Sequence, residues 1–428
     1  MQRFYKTCCQ LVKSPVMKKI FFAILLFFIV TQLFTACKKT AFDNSEPHPV
    51  VLPSGGSSVV VASNRFAFNF LKSSMQQDTT ASNKLISPLS IYLALSMLYN
   101  GADNATKDSM ANVLQLSGIN IDDLNAVCKS MIQQLPQADS KVQLSIANSI
   151  WYNNTGPQPL PAFLNTVTDS YEATMKPLDF TNPASTALIN NWVAQHTNDK
   201  IQKVLDETDP GALMYLINAI YFNGAWKNAF ATNQTVDNNF QLQDGSTVSV
   251  PFMNQQIMTN RYSDSLMDVV ELPYGSGKSY SMYIILPKNE PISEFASLMD
   301  ASMLNNAINH MDSVYIQLSL PSWEYAYSID NMYPELSALG MGIAFSDKAD
   351  FSKMYNTGNV SITKAVHKTY IKVNEEGTEA AAVTAIGVAT AAAFNLPVNF
   401  NRPFLYTIIE KQTGIITFVG IVNNPSQH

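Results

Sequence analysis

The sequence offers few side chains for acid–base or nucleophilic catalysis, and they are scattered along the chain. Its histidines are His48, His196, His310, His367 and His428. A hydrolase would need one of these as its base, and the chain has no GxSxG motif to supply the nucleophile. No CxxC, HxxxH or mixed Cys/His cluster has metal-ligand spacing. We therefore expect no cofactor and no enzymatic activity.

The most unusual stretch, Glu375–Asn395, is built almost wholly of small residues. From Ala380 to Asn401 it carries no charge, and Gly387 and Pro397 break it too often for a membrane helix. In a strand, one of its faces could lie on a hydrophobic core, whereas the other could meet water at Glu379. The residues of the core-facing set are Thr378, Ala380, Ala382, Thr384, Ile386 and Val388. An alanine-rich linker or a buried helix would be the simpler alternatives.

The start of this stretch resembles the hinge of an inhibitory serpin, the segment that leads into an exposed reactive loop. The residues assigned to the hinge are Glu375, Glu376, Gly377, Thr378, Glu379, Ala380, Ala381, Ala382 and Thr384. Downstream, Asn401–Leu405 (NRPFL) resembles the segment where such a loop re-enters the fold. The resemblance implies a reactive loop over about residues 376–395.

Other serpin landmarks follow in the expected order over residues 61–425, of which NAIYFNGAW at 218–226 is the strongest. The resemblance places Trp226 at the top of the main sheet and pairs Asn218 with His367 in a hydrogen bond that closes it. Ser87 and Ser90 would lie under the sheet and control strand separation, or else be simple helix caps. The implied fold class is α+β, a serpin fold with about eight or nine helices packed on three β-sheets.

Local patterns predict the elements that this fold requires. Helical spacing of apolar residues marks 61–74, and Ser87 suits an N-cap with Pro88 at the first helical position. The predicted strands include 142–152, 212–222, 360–373, 404–409 and 415–422. The strand 212–222 is a continuous apolar run, which is typical of a central strand buried on both faces.

The resemblance implies a protease inhibitor that acts as an irreversible suicide substrate. A protease would form an acyl-enzyme on the loop, which then inserts into the main sheet and distorts the attached protease. Gly377 permits the turn, and the uncharged Thr378 and Thr384 suit burial. The absence of charge or proline on this face favours inhibition. The alternative is a non-inhibitory serpin-fold binding protein on the cell surface.

The position of the reactive bond depends on the direction of counting. Sixteen residues on from Glu375 lies Ala391, whereas counting back from Pro403 gives Ala392. Their neighbours Thr390 and Ala393 are also small, so both registers predict the same target class. Small residues suit an elastase-like or subtilisin-like serine protease, and some cysteine proteases would also accept them.

The N-terminus has the pattern of an export signal. Lys18 and Lys19 precede an apolar run from Ile20 to Val30, and the following Leu33–Cys37 resembles a bacterial lipoprotein box with Cys37 as the lipidated residue. A plain signal peptide or a membrane anchor is the alternative, and Met17 could be the true start. We expect a signal over 1–36, a flexible tether over 37–60 and a serpin domain over 61–428. The protein would then be lipid-anchored to the bacterial cell envelope.

Composition limits the remaining classes of partner. A net charge of −6 without a basic run gives no support for nucleic-acid binding. After export and lipidation only Cys128 would remain as a free thiol, so no internal disulfide can form. We expect a monomer whose partners are the target protease and the membrane that holds its lipid.

Overall fold

Two β-sheets and nine α-helices account for most of the residues that the computed structural model describes, which are 47–80, 82–357, 360–379 and 396–427. The helices are α1 (Gly56–Gln77), α2 (Pro88–Tyr99), α3 (Asn104–Val113), α4 (Ile121–Gln134), α5 (Pro161–Tyr171), α6 (Pro183–His196), α7 (Ile292–Leu298), α8 (Ala301–Asn309) and α9 (Tyr333–Leu336). The predicted α+β fold class is confirmed.

The strands are numbered in chain order. They are β1 (Lys84–Ile86), β2 (Val142–Asn153), β3 (Thr174–Leu178), β4 (Met214–Ala225), β5 (Val236–Gln241), β6 (Thr247–Ser263), β7 (Met267–Pro273), β8 (Tyr280–Pro287), β9 (Asp312–Pro321), β10 (Trp323–Ile329), β11 (His367–Asn374), β12 (Gly377–Thr378), β13 (Leu396–Asn399), β14 (Phe404–Glu410) and β15 (Ile415–Val422).

The larger sheet has nine strands in the order β1-β15-β14-β8-β7-β6-β9-β13, with β5 also paired to β6. Strand β6 is 17 residues long and pairs with β7 at one end and with β5 and β9 along the rest. Because this one strand belongs to both parts, two of the three predicted sheets form a single hydrogen-bonded sheet in the described residues.

The smaller sheet has the order β10-β11-β12-β4-β2-β3. Strand β4 pairs antiparallel with β2 from Met214 to Gly224, and β3 adds a parallel edge. Within the described residues β11 and β4 are connected only through the two-residue strand β12. The predicted central strand is therefore present as β4, but on one side it pairs only with the two-residue strand β12.

Helices α1 and α2 fill the space between the sheets because their apolar faces are nearly continuous. Phe66, Phe70 and Leu71 of α1 are buried, and α2 is buried along most of its length. Ser87 caps α2 by accepting a hydrogen bond from the Ser90 amide, with Pro88 at the first position, as predicted.

The N-terminal segment is ordered further than the sequence predicts. Helix α1 begins at Gly56 and so includes the last residues of the predicted tether. Ahead of it, the buried Val50 donates its amide to Gln412 Oε1 (3.0 Å). Val51 exchanges two hydrogen bonds of 2.8 Å with the Gln134 side chain at the end of α4. The Pro/Gly-rich composition suggests a linker, but these tertiary contacts fix residues 47–55 on the body.

The long strand predicted over 360–373 is shorter in the structure. Strand β11 starts only at His367, and residues 360–366 have no strand pairing. Strand β10 pairs with β11 only as far as His367, and β4 is not paired to β11 on the other side. The apolar pattern was real, but an extended segment needs a neighbouring strand to become part of a sheet.

Among the residues that the structure describes, no helix combines the length and the hydrophobicity needed to span a lipid bilayer. The same residues contain no group of three or more His, Cys, Asp or Glu side chains placed to hold a metal ion.

Candidate functional site

The hinge is a short strand held between two longer ones. Gly377 and Thr378 form β12, which pairs antiparallel with the end of β11 on one side and with Gly224 and Ala225 of β4 on the other. The turn before it is fixed because the Asn374 side chain accepts from the amides of Glu376 (3.1 Å) and Gly377 (3.2 Å). The structure thus places the start of the predicted loop inside the sheet.

The residues Glu375 and Glu376 tie this turn to the end of β4 through their backbone carbonyls. The Trp226 amide donates to the Glu376 carbonyl (2.9 Å), and the Phe230 amide donates to the Glu375 carbonyl (2.8 Å). The Glu375 carboxylate also accepts from the Thr235 hydroxyl (2.6 Å). The hinge therefore enters the sheet along a fixed path.

Gly377 has a steric role at this point. Its φ is +151°, and a Cβ atom added there would lie 2.1 Å from the Gly224 carbonyl oxygen and 2.8 Å from the Cα of Ala225. Any side chain would push β12 away from β4. Glycine is therefore required here for two reasons. Its backbone can adopt the conformation of the turn, as predicted, and the absence of a side chain lets β12 approach β4 closely.

Thr378 and Trp226 both contact Tyr274, a residue that was not predicted to belong to the site. Thr378 is buried, and its hydroxyl lies 2.6 Å from that of Tyr274. Trp226 stacks on the same tyrosine with ring centroids 4.5 Å apart, and its Nε1 donates to the Asn374 carbonyl (2.9 Å). Trp226 thus lies at the hinge end of the sheet, where it was predicted, and Thr378 lies on the core face.

Glu379 does not face water, contrary to the prediction from strand alternation. Its side chain is 4% exposed, and its backbone has a left-handed φ of +58°. The positive φ takes the residue out of regular strand geometry, so the period-2 argument fails at this position. Burial raises the pKa of the Glu379 carboxyl, while Tyr221 and Lys200 oppose that shift.

At the end of β4 away from the hinge, a cavity of about 250 Å³ lies between β4 and the segment that leads into β11. Its lining combines the Met214 half of β4, the segment 360–368 and the face of α2, and it includes Asn218 and His367. The side chains of this lining are mostly apolar. Within the described residues no strand pairs with this part of β4 on the cavity side, so its backbone edge there is free.

The predicted hydrogen bond between Asn218 and His367 is not formed. The Asn218 amide donates to Asn148 Oδ1 (2.7 Å), and its oxygen accepts from the Ser90 hydroxyl. His367 Nε2 instead accepts from the Ser87 backbone amide (3.1 Å). The physical reason is that β4 and β11 are not paired at this level, so their side chains find separate partners on β2 and α2.

Ser87 has the predicted capping role, whereas control of strand separation by Ser87 and Ser90 stays a prediction. Ser87 caps α2 and donates to the Thr417 carbonyl (2.9 Å), whereas Ser90 bonds to the central strand through Asn218. His367 is buried, and burial lowers its pKa to about 3. It therefore serves as a neutral acceptor for Ser87 and not as a catalytic base.

Several predicted residues lie outside the part of the chain that the structure describes. These are Cys37, the hinge residues Ala380, Ala381, Ala382 and Thr384, and the reactive-bond residues Thr390, Ala391, Ala392 and Ala393. The thiol of Cys128 is buried on α4, and burial raises its pKa to about 12, so it is a poor nucleophile.

Besides Phe230 and Thr235, the residues that contact the hinge without having been predicted include Lys200, Asn223 and Tyr274. Asn223 lies inside the NAIYFNGAW motif, which could have pointed to it. Lys200 and Tyr274 have no local signal, because their contacts depend on how distant segments are folded together.

Comparison with known proteins agrees with this geometry. The sequence model of the family described as "Serpin (serine protease inhibitor)" matches residues 61–425. Serpin-Z10 of Arabidopsis thaliana is 32% identical over 364 residues, which cover 81% of this chain and 93% of that protein.

Solved structures of serpins also resemble this chain. The thermophilic serpin tengpin in its native state has a TM-score of 0.80 at 33% identity, with coverage of 90% of this chain and 98% of that one. Human thyroxine-binding globulin complexed with its hormone has a TM-score of 0.80 at 26% identity, covering 87% of this chain and 100% of that one.

Proposed function

Because this chain belongs to the serpin family, we propose that it inhibits a serine endopeptidase as an irreversible suicide substrate. The observation that carries the proposal is β12, which already lies between β11 and β4. Farther from the hinge, a cavity is lined by the opposite end of β4 (214–219) and by the segment 360–368 that leads into β11. A longer part of the loop would extend β12 into this space and complete both rows of backbone hydrogen bonds.

The proposed reaction with the protease is an acyl transfer. The protease serine Oγ attacks the carbonyl carbon of Ala391, or of Ala392 in the other register, and its proton passes to the leaving amine of the next residue. The carbon–nitrogen bond breaks and an ester to the protease forms. Insertion of the cleaved loop then competes with hydrolysis of that ester. Small residues at the bond favour elastase-like or subtilisin-like targets.

The test uses the full chain in detergent, mixed with an elastase-type protease and run on a denaturing gel. We expect an SDS-resistant complex whose mass identifies the cleaved bond. Clean cleavage without any complex would overturn the inhibitory proposal. It would favour the alternative of a non-inhibitory binding protein, as thyroxine-binding globulin illustrates within this fold.

We also propose that Cys37 carries the lipid that anchors the protein to the bacterial envelope, and that the anchored form is a monomer. The signal-like residues before Cys37 support this proposal. Expression with an alkyne-tagged fatty acid should label the native chain, and Cys37→Ser should abolish the label. Labelling that survives this substitution would contradict the assignment.

A further inference from the structure

A polar cluster covers the hinge on the face of the sheet that also carries α6. Its members are Asn198, Lys200, Tyr221, Asn223, Tyr370 and Glu379. They come from four parts of the chain: the segment after α6, strand β4, strand β11 and the residue that follows β12. The hinge is therefore in contact with the connection between α6 and β4.

The central contact is an ion pair that compensates a buried charge. Lys200 Nζ lies 3.3 Å from Glu379 Oε1, and the lysine side chain is 35% exposed. Neither Glu379 carboxylate oxygen accepts a hydrogen bond of normal geometry. The ammonium also lies 4.9 Å from the centroid of the Tyr370 ring, which fixes its position. A buried carboxylate with so few donors depends on the nearby positive charge.

Backbone contacts hold both Glu379 and the segment that carries Lys200 in place. Asn223 Nδ2 donates to the Glu379 carbonyl (2.7 Å), and the Glu379 amide donates to the Lys372 carbonyl (3.0 Å). Asn198 and Asp199 have φ values of +50° and +61°, a pair of left-handed residues that turns the chain after α6 and brings Lys200 over the hinge.

We infer that Lys200 is a positioning residue whose charge allows Glu379 to be buried when the hinge pairs with β4 and β11. The connection after α6 would then set how readily the loop enters the sheet. The effect of this contact on inhibition rests on the proposed function. The hinge contact itself can be measured without any protease.

The other charged groups facing Glu379 do not replace Lys200. Glu324 adds negative charge nearby and is itself paired with Lys372 (2.8 Å) and Tyr370 (2.6 Å). The Tyr221 hydroxyl also opposes the raised pKa of Glu379, but it carries no charge and it contacts the asparagines of the cluster as well. Lys200 is therefore the cation on which the burial of Glu379 depends.

The experiment is a double-mutant cycle on the full chain in detergent, with Lys200→Met, Glu379→Gln and the combination. Lys203→Met is the matched control, since Lys203 lies on the same segment but is 61% exposed and pairs with Asp206. The first readout is hydrogen–deuterium exchange of the hinge amides, Gly377 to Glu379. The second is the number of inhibitor molecules consumed per protease molecule trapped.

We expect Lys200→Met to raise hinge exchange by about fivefold and to increase inhibitor consumption, because it leaves a buried carboxylate unpaired. Lys203→Met should change neither quantity. In the Glu379→Gln background, Lys200→Met should have no further effect, since the charge that it compensates is gone. These three results together would support the inference.

Equal exchange in Lys200→Met and Lys203→Met would overturn the inference, as would an effect of Lys200→Met that persists with Glu379→Gln. The two proposals fail separately. If the wild-type chain forms no protease complex, the proposed function fails, and the exchange data alone decide the role of Lys200.

Discussion

At the scale of single residues, His367 shows how burial sets a protonation state. Its ring accepts a hydrogen bond from the Ser87 amide and lies beside the cavity between β4 and β11. Burial holds its pKa at about 3, far below the ordinary value of 6.5. Protonation would therefore remove an acceptor and place a charge in the core.

This burial predicts a pH dependence of stability. The native state binds fewer protons than the unfolded state between pH 6.5 and pH 3, so the His367 contribution is lost as the pH falls below 6.5. From pH 7.5 to 5.0 the expected loss is about 2 kcal/mol. His367→Gln should show a flatter urea-unfolding stability over this range than the wild type.

The variant must be compared with the wild type because Glu379 changes the stability with pH in the opposite direction to His367. Its raised pKa gives a contribution that is present at low pH and lost as the pH rises through the folded-state pKa. This contribution is common to both proteins and cancels in the difference. Identical pH profiles for wild type and His367→Gln would show that the histidine is not buried as a neutral ring.

Gly377 gives a second prediction at this scale. Gly377→Ala places a methyl group against the Gly224 carbonyl, which we expect to destabilise the pairing of β12 by about 1–3 kcal/mol. The yield of protease complex should fall and that of cleaved, released protein should rise. Gel densitometry measures both.

Gly245→Ala is the control for Gly377→Ala, because it adds backbone strain without a steric clash. Gly245 has a φ of +84°, but a Cβ atom added there would meet nothing within 4 Å. We expect this variant to retain the wild-type yield of complex. A loss as large as that of Gly377→Ala would mean that general destabilisation, and not the contact with β4, explains the effect.

At the scale of elements, the N-terminal segment 47–55 is a tertiary element without regular structure before α1. Val50 is 3% exposed, while its neighbour Val51 is 67% exposed. We expect Val50→Asp to release the segment and to lower the free energy of unfolding by about 1.5–3 kcal/mol, the value of burying one valine. Urea unfolding measures this loss.

Val51→Asp is the control for that substitution, since it adds the same charge one residue away on an exposed side chain. We expect it to leave the unfolding free energy nearly unchanged, because both backbone bonds to Gln134 remain possible. Equal losses in the two variants would contradict the view that Val50 docks the segment.

At the scale of the whole molecule, β4 has no strand neighbour on its β11 side beyond the two residues of β12 within the described residues. Cleavage of the predicted reactive loop should allow a strand to form there, with new backbone hydrogen bonds along both neighbours. We expect a large rise in melting temperature after cleavage by a protease that is not trapped. A thermal melt of intact and cleaved protein checks this, and an unchanged or lower melting temperature would contradict it.

Local features of the fold could be predicted from the sequence. The cap formed by Ser87 and Pro88 depends on adjacent residues, and the apolar run of β4 depends on burial alone. The hydrogen-bond partners of Asn218 could not be predicted, since they depend on the separation of β4 from β11.

The burial of Glu379 could not be predicted for a related reason. It results from a left-handed backbone at that residue and from Lys200, which is distant in sequence. Alternation along a strand says which face a side chain would occupy, but not which other segment covers that face. Tertiary arrangement, and not local pattern, decides these parts of the site.

If Cys37 is lipidated as proposed, the docking of Val50 would limit how far the protein can move from a membrane. With Cys37 lipidated as proposed, only the nine residues 38–46 separate the lipid from the body, which is a reach of at most about 35 Å. The protein would then be confined to a thin layer above the lipid headgroups. A protease bound to the same surface would meet it by two-dimensional diffusion, at a local concentration far above that in the surrounding solution.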